Sequence, residues 1–438
     1  MTPYYQHAGI QIWHGKAEDV LPTLSGVTAI VTDPPAGIAF MGKEWDHDKG
    51  GRDAWITWMT DIAAKAIETL PPGGMALVWA LPRTSHWTAT AWEDAGWECR
   101  DVITHHFGSG FPKSLSIGKA IDKAAGAERE VIGTKKTKDI RRNVEKDREA
   151  GLTNGQPKFG TGSPTVYMDH KITAPSTDAA KQWEGYGTAL KPSTEFWHVF
   201  QKPLDGTYAQ NALKHGVAGI NVDGCRIGTE STVVQRAGPS ADLGYHGNGS
   251  MPSKTGSESG RWPSNLILSG DDVAELFPVT NQNGSGKPTI KKRERNKGWC
   301  NASPGDGVDA IDNYGDSGSA SRFFQRCDYR DPIDEASRII YTAKASGTDR
   351  GNRAEKQLPL FGEVEEEVIN RHPTVKALTL CEYLVKLVTM PEGTVILDMF
   401  GGSGSIAVSC KRLGVSCIMI EQDEAHCKIA AERLEATR

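Results

Sequence analysis

A chain of 438 residues, 38% of them hydrophobic, can bury a large core and has room for more than one folding unit, while its 48 glycines point to long loops beside that core. No apolar run approaches the roughly 18 residues that cross a bilayer, Met1 to Gln6 lacks a secretory pattern, and the eight cysteines include no Cys-x-x-Cys pair. Membrane, secreted, disulfide-scaffold and zinc-centred classes are thereby set aside, and the net charge of −5 carries no global signature of a nucleic-acid binder.

In chain order, the first 107 residues alternate strand and helix. Ile10–Trp13 reads as a short strand, Ala17–Leu24 as a helix and Val27–Thr32 as a buried strand. A helix is predicted over Asp53–Leu70, then the turn Pro71-Pro72-Gly73-Gly74 and an apolar strand Met75–Leu81. Helix Thr84–Ala95 leads to strand Glu98–Phe107. Strands separated by helices of this length predict a parallel, doubly wound α/β sheet.

From Gly108 to about Ala189 the chain turns polar, basic and rich in glycine and threonine, and Glu195–Phe200 resumes as a strand. Residues 108–189 therefore read as an insertion between two antiparallel strands at the sheet edge. Residues 190–205 return to the core, and 206–345 form an irregular unit with a helix at Tyr208–Lys214, an apolar piece Asn265–Leu268 and long glycine-rich loops. Two basic runs stand in this middle region. Lys135–Arg142 has five basic residues against one acid, and Lys287–Lys297 six against one. Either run alone is as much a solvated surface as a phosphate contact; their place between the two core halves favours phosphate contact. Arg226, Arg261, Arg293 and Arg295 are candidate groove readers, although such arginines more often serve the surface. After a polar linker, residues 346–438 return to α/β, with helical spacing over Val375–Val388, strand Thr394–Phe400, helix Ser405–Leu413, strand Val415–Ile420 and helix Glu424–Leu434. Cys410, Cys417 and Cys427 fall in these apolar patterns and read as core.

Three short segments carry chemistry. Strand Val27–Thr32 ends in Asp33-Pro34-Pro35, followed by Ala36 and Gly37. Asn370–Ala377 contains His372-Pro373-Thr374 and Lys376, with Thr374 a candidate helix cap. Val395–Ser405 holds Asp398, Phe400 and the turn Gly401-Gly402-Ser403-Gly404, and Glu421 ends the next strand about twenty residues on. Glycines admit a ligand close to the backbone, a helix N-terminus offers free N–H groups, and an acid on the second strand holds ribose hydroxyls. Such a turn also serves as an ordinary βα connection. A dinucleotide site expects G-x-G-x-x-G, with Ala407 here at the third glycine. Asp398 and Phe400 ahead of the glycines suit a ligand with a cationic amino-acid end and no pyrophosphate. With Asp33-Pro34-Pro35 in the same chain, S-adenosylmethionine is the better candidate.

In this order the three segments resemble the beta group of amino-methylating DNA methyltransferases, in which the cofactor motif follows the catalytic motif and the target-recognition region. The resemblance covers roughly residues 8–107 and 190–205 and is strongest over 366–438; Gly108–Ser114 and Gly260–Asn265 are similar to segments of a phage- and prophage-associated branch. It implies a Rossmann-like sheet assembled from both chain ends, 1–107 as the catalytic half and 346–438 as the cofactor half. An α+β target-recognition region, 206–345, is inserted between them. Asp33, Pro34, Pro35 and Ala36 would form the catalytic motif, Asp33 lying beside the cofactor's methyl group. Asp33, Asp398, Phe400, Gly401, Gly402, Ser403, Gly404 and Glu421 would bind S-adenosylmethionine, with Thr374 and Lys376 on its carboxylate end and no metal. The family's Gly-Asp is here Gly15-Lys16, and its proline after Lys376 is Ala377. Expected partners are duplex DNA with a short specific site and a second copy of the chain, in the cytoplasm and encoded by a bacterium or a phage, with a restriction–modification role open.

Ala36 departs from the pattern: the family carries an aromatic there, on which the flipped base stacks. The expectation is an adenine N6 methyltransferase weakened in base capture, with intact cofactor binding. Cytosine N4 methylation and a catalytically silent DNA-binding protein are the alternatives, and an RNA or small-molecule methyltransferase is a weaker third.

Overall fold

The computed structural model describes residues 2–39, 44–108, 114–138, 167–228, 232–235, 254–257, 260–281, 317–327 and 375–437. Thr374 and the rest of Asn370–Thr374, the run Lys287–Lys297 with Arg293 and Arg295, and Arg141 and Arg142 lie outside them. The chain divides into two compact units, one of Met1–Gly110 with Ser193–Arg438 and one of Phe111–Pro192.

The larger unit is built on a ten-stranded sheet. Its strands are β1 (Tyr5–His7), β2 (Ile10–His14), β3 (Ala29–Thr32), β4 (Met75–Ala80), β5 (Glu98–His106), β6 (Thr194–Gln201), β7 (Leu266–Leu268), β8 (Gln325–Arg326), β9 (Val395–Asp398) and β10 (Ser416–Glu421). In space they run β1-β2-β10-β9-β3-β4-β6-β5-β7-β8. From β2 to β4 all pairs are parallel, β6 is antiparallel to both β4 and β5, and β7 and β8 continue parallel to β5. The antiparallel strand at Glu195–Phe200, expected at the sheet edge, is thus internal. β7 and β8, three and two residues long, add on beyond β5; they are too short for periodicity to reveal.

Helices cover both faces, as the continuous apolar run of β4, buried at every position, requires. On one face α1 (Ala17–Val20), α2 (Arg52–Glu68) and α3 (Ser85–Asp94) pack against Ile30, Val78, Leu397 and Ile420. α2 does so with Trp55, Met59, Ile62, Ala66 and Ile67, the three-and-four spacing of one helical stripe. On the other face lie α4 (Leu378–Leu387), α5 (Ser405–Leu413) and α6 (Glu424–Ala436), over Val31, Leu77, Trp197 and Met419. Cys410, Cys417 and Cys427 are fully buried there. The helix expected over Ala17–Leu24 breaks after Val20 into a 3₁₀ turn, Leu21–Thr23, where Pro22 has no N–H to give.

Order reverses between β9 and β3. The chain proceeds from β9 to β10 on one side and from β3 to β4 on the other, and the crevice at their carboxyl ends is where open α/β sheets take ligands.

The smaller unit has a helix Ile117–Ala124, capped by Ser116, and an antiparallel ribbon of Val131–Lys138 with Tyr167–Thr173. Buried Asp122 meets Arg129 at 2.9 Å, and Arg129 donates to the Thr173 carbonyl at 3.2 Å, fastening helix to ribbon.

Candidate active site

β3 and β9 are tied at their ends by one hydroxyl. Buried Thr32 donates to Asp398 Oδ1 at 2.9 Å and accepts from Met399 N at 3.2 Å. The chain leaves the sheet at Asp33 because Pro34 and Pro35 cannot donate to a ladder. Gly37 then turns at φ +69°; a Cβ there would stand 2.8 Å from the Trp55 ring. Its N–H donates at 3.0 Å to Asp46 Oδ1, a residue 1% exposed, so Asp46 anchors the turn after the motif.

Asp33 meets Lys376 Nζ at 2.6 Å through Oδ2; its side chain is 18% exposed and that of the lysine 9%. Burial lifts the Asp33 carboxyl above its ordinary value against the pull of Lys376, and the Glu195 and Asp46 carboxylates lift it further. For Lys376, burial works to discharge the ammonium, but Asp33 and Glu195 outweigh it and hold the group above its ordinary value. Among the described residues no hydrogen bond reaches Asp33 Oδ1.

The glycine turn follows β9. A Cβ on Gly401 would collide with the Met419 side chain, and Gly402 and Gly404 take φ of +51° and +82°, where other residues are strained. Gly402 N donates to Glu421 Oε2 at 2.7 Å, so the acid at the end of β10 braces the turn as well as facing the cleft. From α6, buried Arg433 donates to the Ser403 carbonyl at 2.5 Å and to Ser403 Oγ at 3.2 Å. Asp398 is 2% exposed; burial pushes its carboxyl up to about 7 against the donors Thr32 and Phe400 N, with Asp33 and Glu421 adding to the lift.

These groups share one cleft of about 680 Å³, within the size range of small-molecule sites. Asp33, Pro35, Lys376, Asp398, Phe400, Gly401, Gly402, Ser403 and Glu421 line it, as do Lys16 and Glu18. Pro34 is buried, Ala36 is half-buried against the core that includes Trp79, and Gly404 packs on Ala430; none of the three lines the cleft.

Residues that no motif announces complete the site. Trp58 of α2 lies 6.1 Å from the Phe400 ring and donates its Nε1 to Glu18 at 3.0 Å. Glu195 and Arg433 act through contacts distant in sequence and Asp46 through one with Gly37 nearby, so no single motif marks the three. Of the candidate groove readers, Arg226 pairs with Asp223 at 2.7 Å and Arg261 stands 5.3 Å over Phe323. Among the described residues no cluster of three or more His, Cys, Asp or Glu could hold a metal, and no helix is long and apolar enough to cross a membrane.

Comparison with known proteins bears on this cleft. Over 71 residues the chain is 44% identical to the type II methyltransferase M2.DpnII of Streptococcus pneumoniae, and over 69 residues 39% identical to M2.LlaDCHI of Lactococcus lactis subsp. cremoris. Each stretch is 16% of this chain and spans only 26% and 25% of those relatives' own lengths. Among solved structures, the M1.HpyAVI–SAM complex aligns over 97% of this chain and 99% of its own, with 14% identity and a TM-score of 0.34. The PvuII cytosine-N4-specific DNA methyltransferase aligns over 99% and 88%, with 10% identity and a TM-score of 0.40. Residues 27–432, most of the chain and both halves of the cleft, match the N6_N4_Mtase family, and the protein is a member of that family of DNA methylases.

Proposed function

We propose that the chain is a site-specific DNA methyltransferase that moves a methyl group from S-adenosylmethionine to the exocyclic amino nitrogen of a base flipped out of duplex DNA, adenine N6 in the first instance. The observation that carries the reading is the meeting of Asp33, at the end of β3, with the glycine turn after β9 in one cleft. The methylase family uses S-adenosylmethionine, and the chemistry of the cleft fits it. Its lining is rich in carboxylates, from Asp33, Asp398, Glu421 and Glu18, which suit a ligand with a sulfonium and an ammonium. The turn at Gly401–Gly404 admits backbone contact, and Glu421, which lines the cleft, is an acid that would accept from ribose hydroxyls. Phe400 and Trp58 offer flat surfaces. Thr374 and Lys376 belong with the carboxylate end in this reading, although Lys376 is also bound to Asp33.

Bound there, the cofactor supplies an electrophilic methyl group. The rest falls to the protein. The amino lone pair of a base is delocalised into its ring, so Asp33 Oδ1 and the Pro34 carbonyl accept its two hydrogens and favour a pyramidal nitrogen aimed at the methyl. Lys376 on Oδ2 opposes the lift that burial gives the Asp33 carboxyl and so favours its charged form. Ala36 offers no ring to hold the flipped base, which weakens capture. A homodimer and a short recognition sequence go with the proposal, and light scattering of the free chain tests the former.

Asp398 makes cofactor binding pH-dependent. A cationic ligand stabilises its carboxylate, so binding requires loss of the proton that the free chain holds below about 7. Affinity for S-adenosylmethionine is expected to weaken about tenfold per pH unit on going below 7, and Asp398→Asn to flatten the profile. Calorimetry from pH 5.5 to 8.5 checks both; a profile that stays steep in the Asp398→Asn chain would assign the proton elsewhere.

Nucleoside mass spectrometry of duplex DNA after incubation with S-adenosylmethionine tests the whole reading. N6-methyladenine supports it, and N4-methylcytosine changes the base alone. No methylated base from this chain or its Ala36→Tyr variant puts a silent DNA-binding protein in its place.

A further inference from the structure

We infer that Glu195 is a positioning residue for the catalytic aspartate: with the Trp79 ring it holds the Lys376 ammonium on Asp33 Oδ2, leaving Oδ1 for the substrate amino group. The inference rests on the methyltransferase reading above. Antiparallel register sets Trp79 of β4 opposite Trp197 of β6 and Ala80 opposite Phe196, which brings Glu195 to the carboxyl end of β4, the end of the sheet at which Asp33 emerges from β3. Trp79 Nε1 donates to Glu195 Oε2 at 3.0 Å. The Lys376 ammonium stands 4.2 Å from the centroid of the same ring and 2.6 Å from Asp33 Oδ2. Four segments far apart in sequence therefore meet around one cation.

The physical need is plain. A buried ammonium must be paired, and it has three N–H donors to satisfy. With Asp33 as its only anion, it would settle across both carboxylate oxygens and compete with the substrate. The indole face and a second carboxylate draw the charge to one side. The groups facing this centre are Glu195, Asp46 and Asp398 around Asp33, and the Cys381 thiol and His105 around Lys376. His105 adds no charge at neutral pH, because burial and the Lys376 charge lower it to about 3. Glu195 lifts the Asp33 carboxyl, so loss of its charge lowers it.

Glu195→Gln keeps an acceptor for Trp79 Nε1 and removes only the charge. Thermal unfolding of the full chain with Glu195→Gln, Lys376→Met and both together reads the coupling without need of activity. Non-additive shifts, with the glutamine change nearly silent once Lys376 is methionine, are expected; additive shifts overturn the inference. In an Ala36→Tyr background, Glu195→Gln is expected to lower kcat about tenfold and to move the acid limb of the rate profile to lower pH. KM for S-adenosylmethionine should change by less than about twofold. An unmoved acid limb with unchanged kcat overturns it too. If the Ala36→Tyr parent itself methylates nothing, the methyltransferase reading has failed, and the unfolding cycle still decides the placement of Lys376.

Discussion

Ala36→Tyr is expected to raise the rate of DNA methylation by this chain between about five- and 150-fold, the equivalent of the roughly 1–3 kcal/mol that stacking on an aromatic contributes per base. Position 36 can take the ring, because Ala36 is half-buried and has no left-handed backbone to strain a larger side chain. Its neighbour cannot. Gly37 has φ +69° and lies against Trp55, so an aromatic displaced by one residue would be strained and would clash. Affinity for S-adenosylmethionine should not change, since Ala36 does not line the cofactor cleft. Single-turnover rates on duplex DNA, with 2-aminopurine fluorescence to follow base flipping, separate capture from transfer. An unchanged rate in the tyrosine variant would mean that another surface holds the base.

Asp33→Asn, made in the Ala36→Tyr chain, is expected to lower methylation on the order of 10²- to 10³-fold, the usual effect of removing one preorganised partner of a transition state. The asparagine side chain has nearly the same shape but no charge, so cofactor affinity should fall modestly, with Asp398, Glu421 and Glu18 still lining the cleft, while kcat collapses. The change has a second consequence. It leaves the Lys376 ammonium, 9% exposed, with Glu195 as its remaining anionic neighbour, and the melting temperature should fall. Adding Lys376→Met should recover much of the stability and none of the activity. Recovery of activity as well would show that Asp33 acts through the lysine and not on the base. Calorimetry for the cofactor, steady-state kinetics for kcat and thermal unfolding for stability keep these contributions apart.

Local pattern in the chain determined a good deal: the strand ending in Asp33-Pro34-Pro35, the glycine turn at Gly401–Gly404 and the acid at Glu421 were all legible, because backbone breaks and glycine positions are local requirements. The stripe of α2 and the apolar run of β4 were legible for the same reason, since burial on one face or on both is written in residue spacing. Lys376 and Asp398 were visible as residues but not as partners. Only the folded chain brings Lys376 to Asp33 across 343 residues and Thr32 to Asp398 across 366. The internal place of β6 and the short β7 and β8 were likewise decided by pairing, which single-strand periodicity does not encode. Glu195 and Arg433 look like ordinary surface residues in the sequence, and their roles come from long-range contacts that sheet register and helix packing alone create. The ordered motifs thus pointed, through the resemblance they carry, to the DNA methylase family, and tertiary structure decided which charge sits beside which, because the electrostatics of a buried site depend on distance in space.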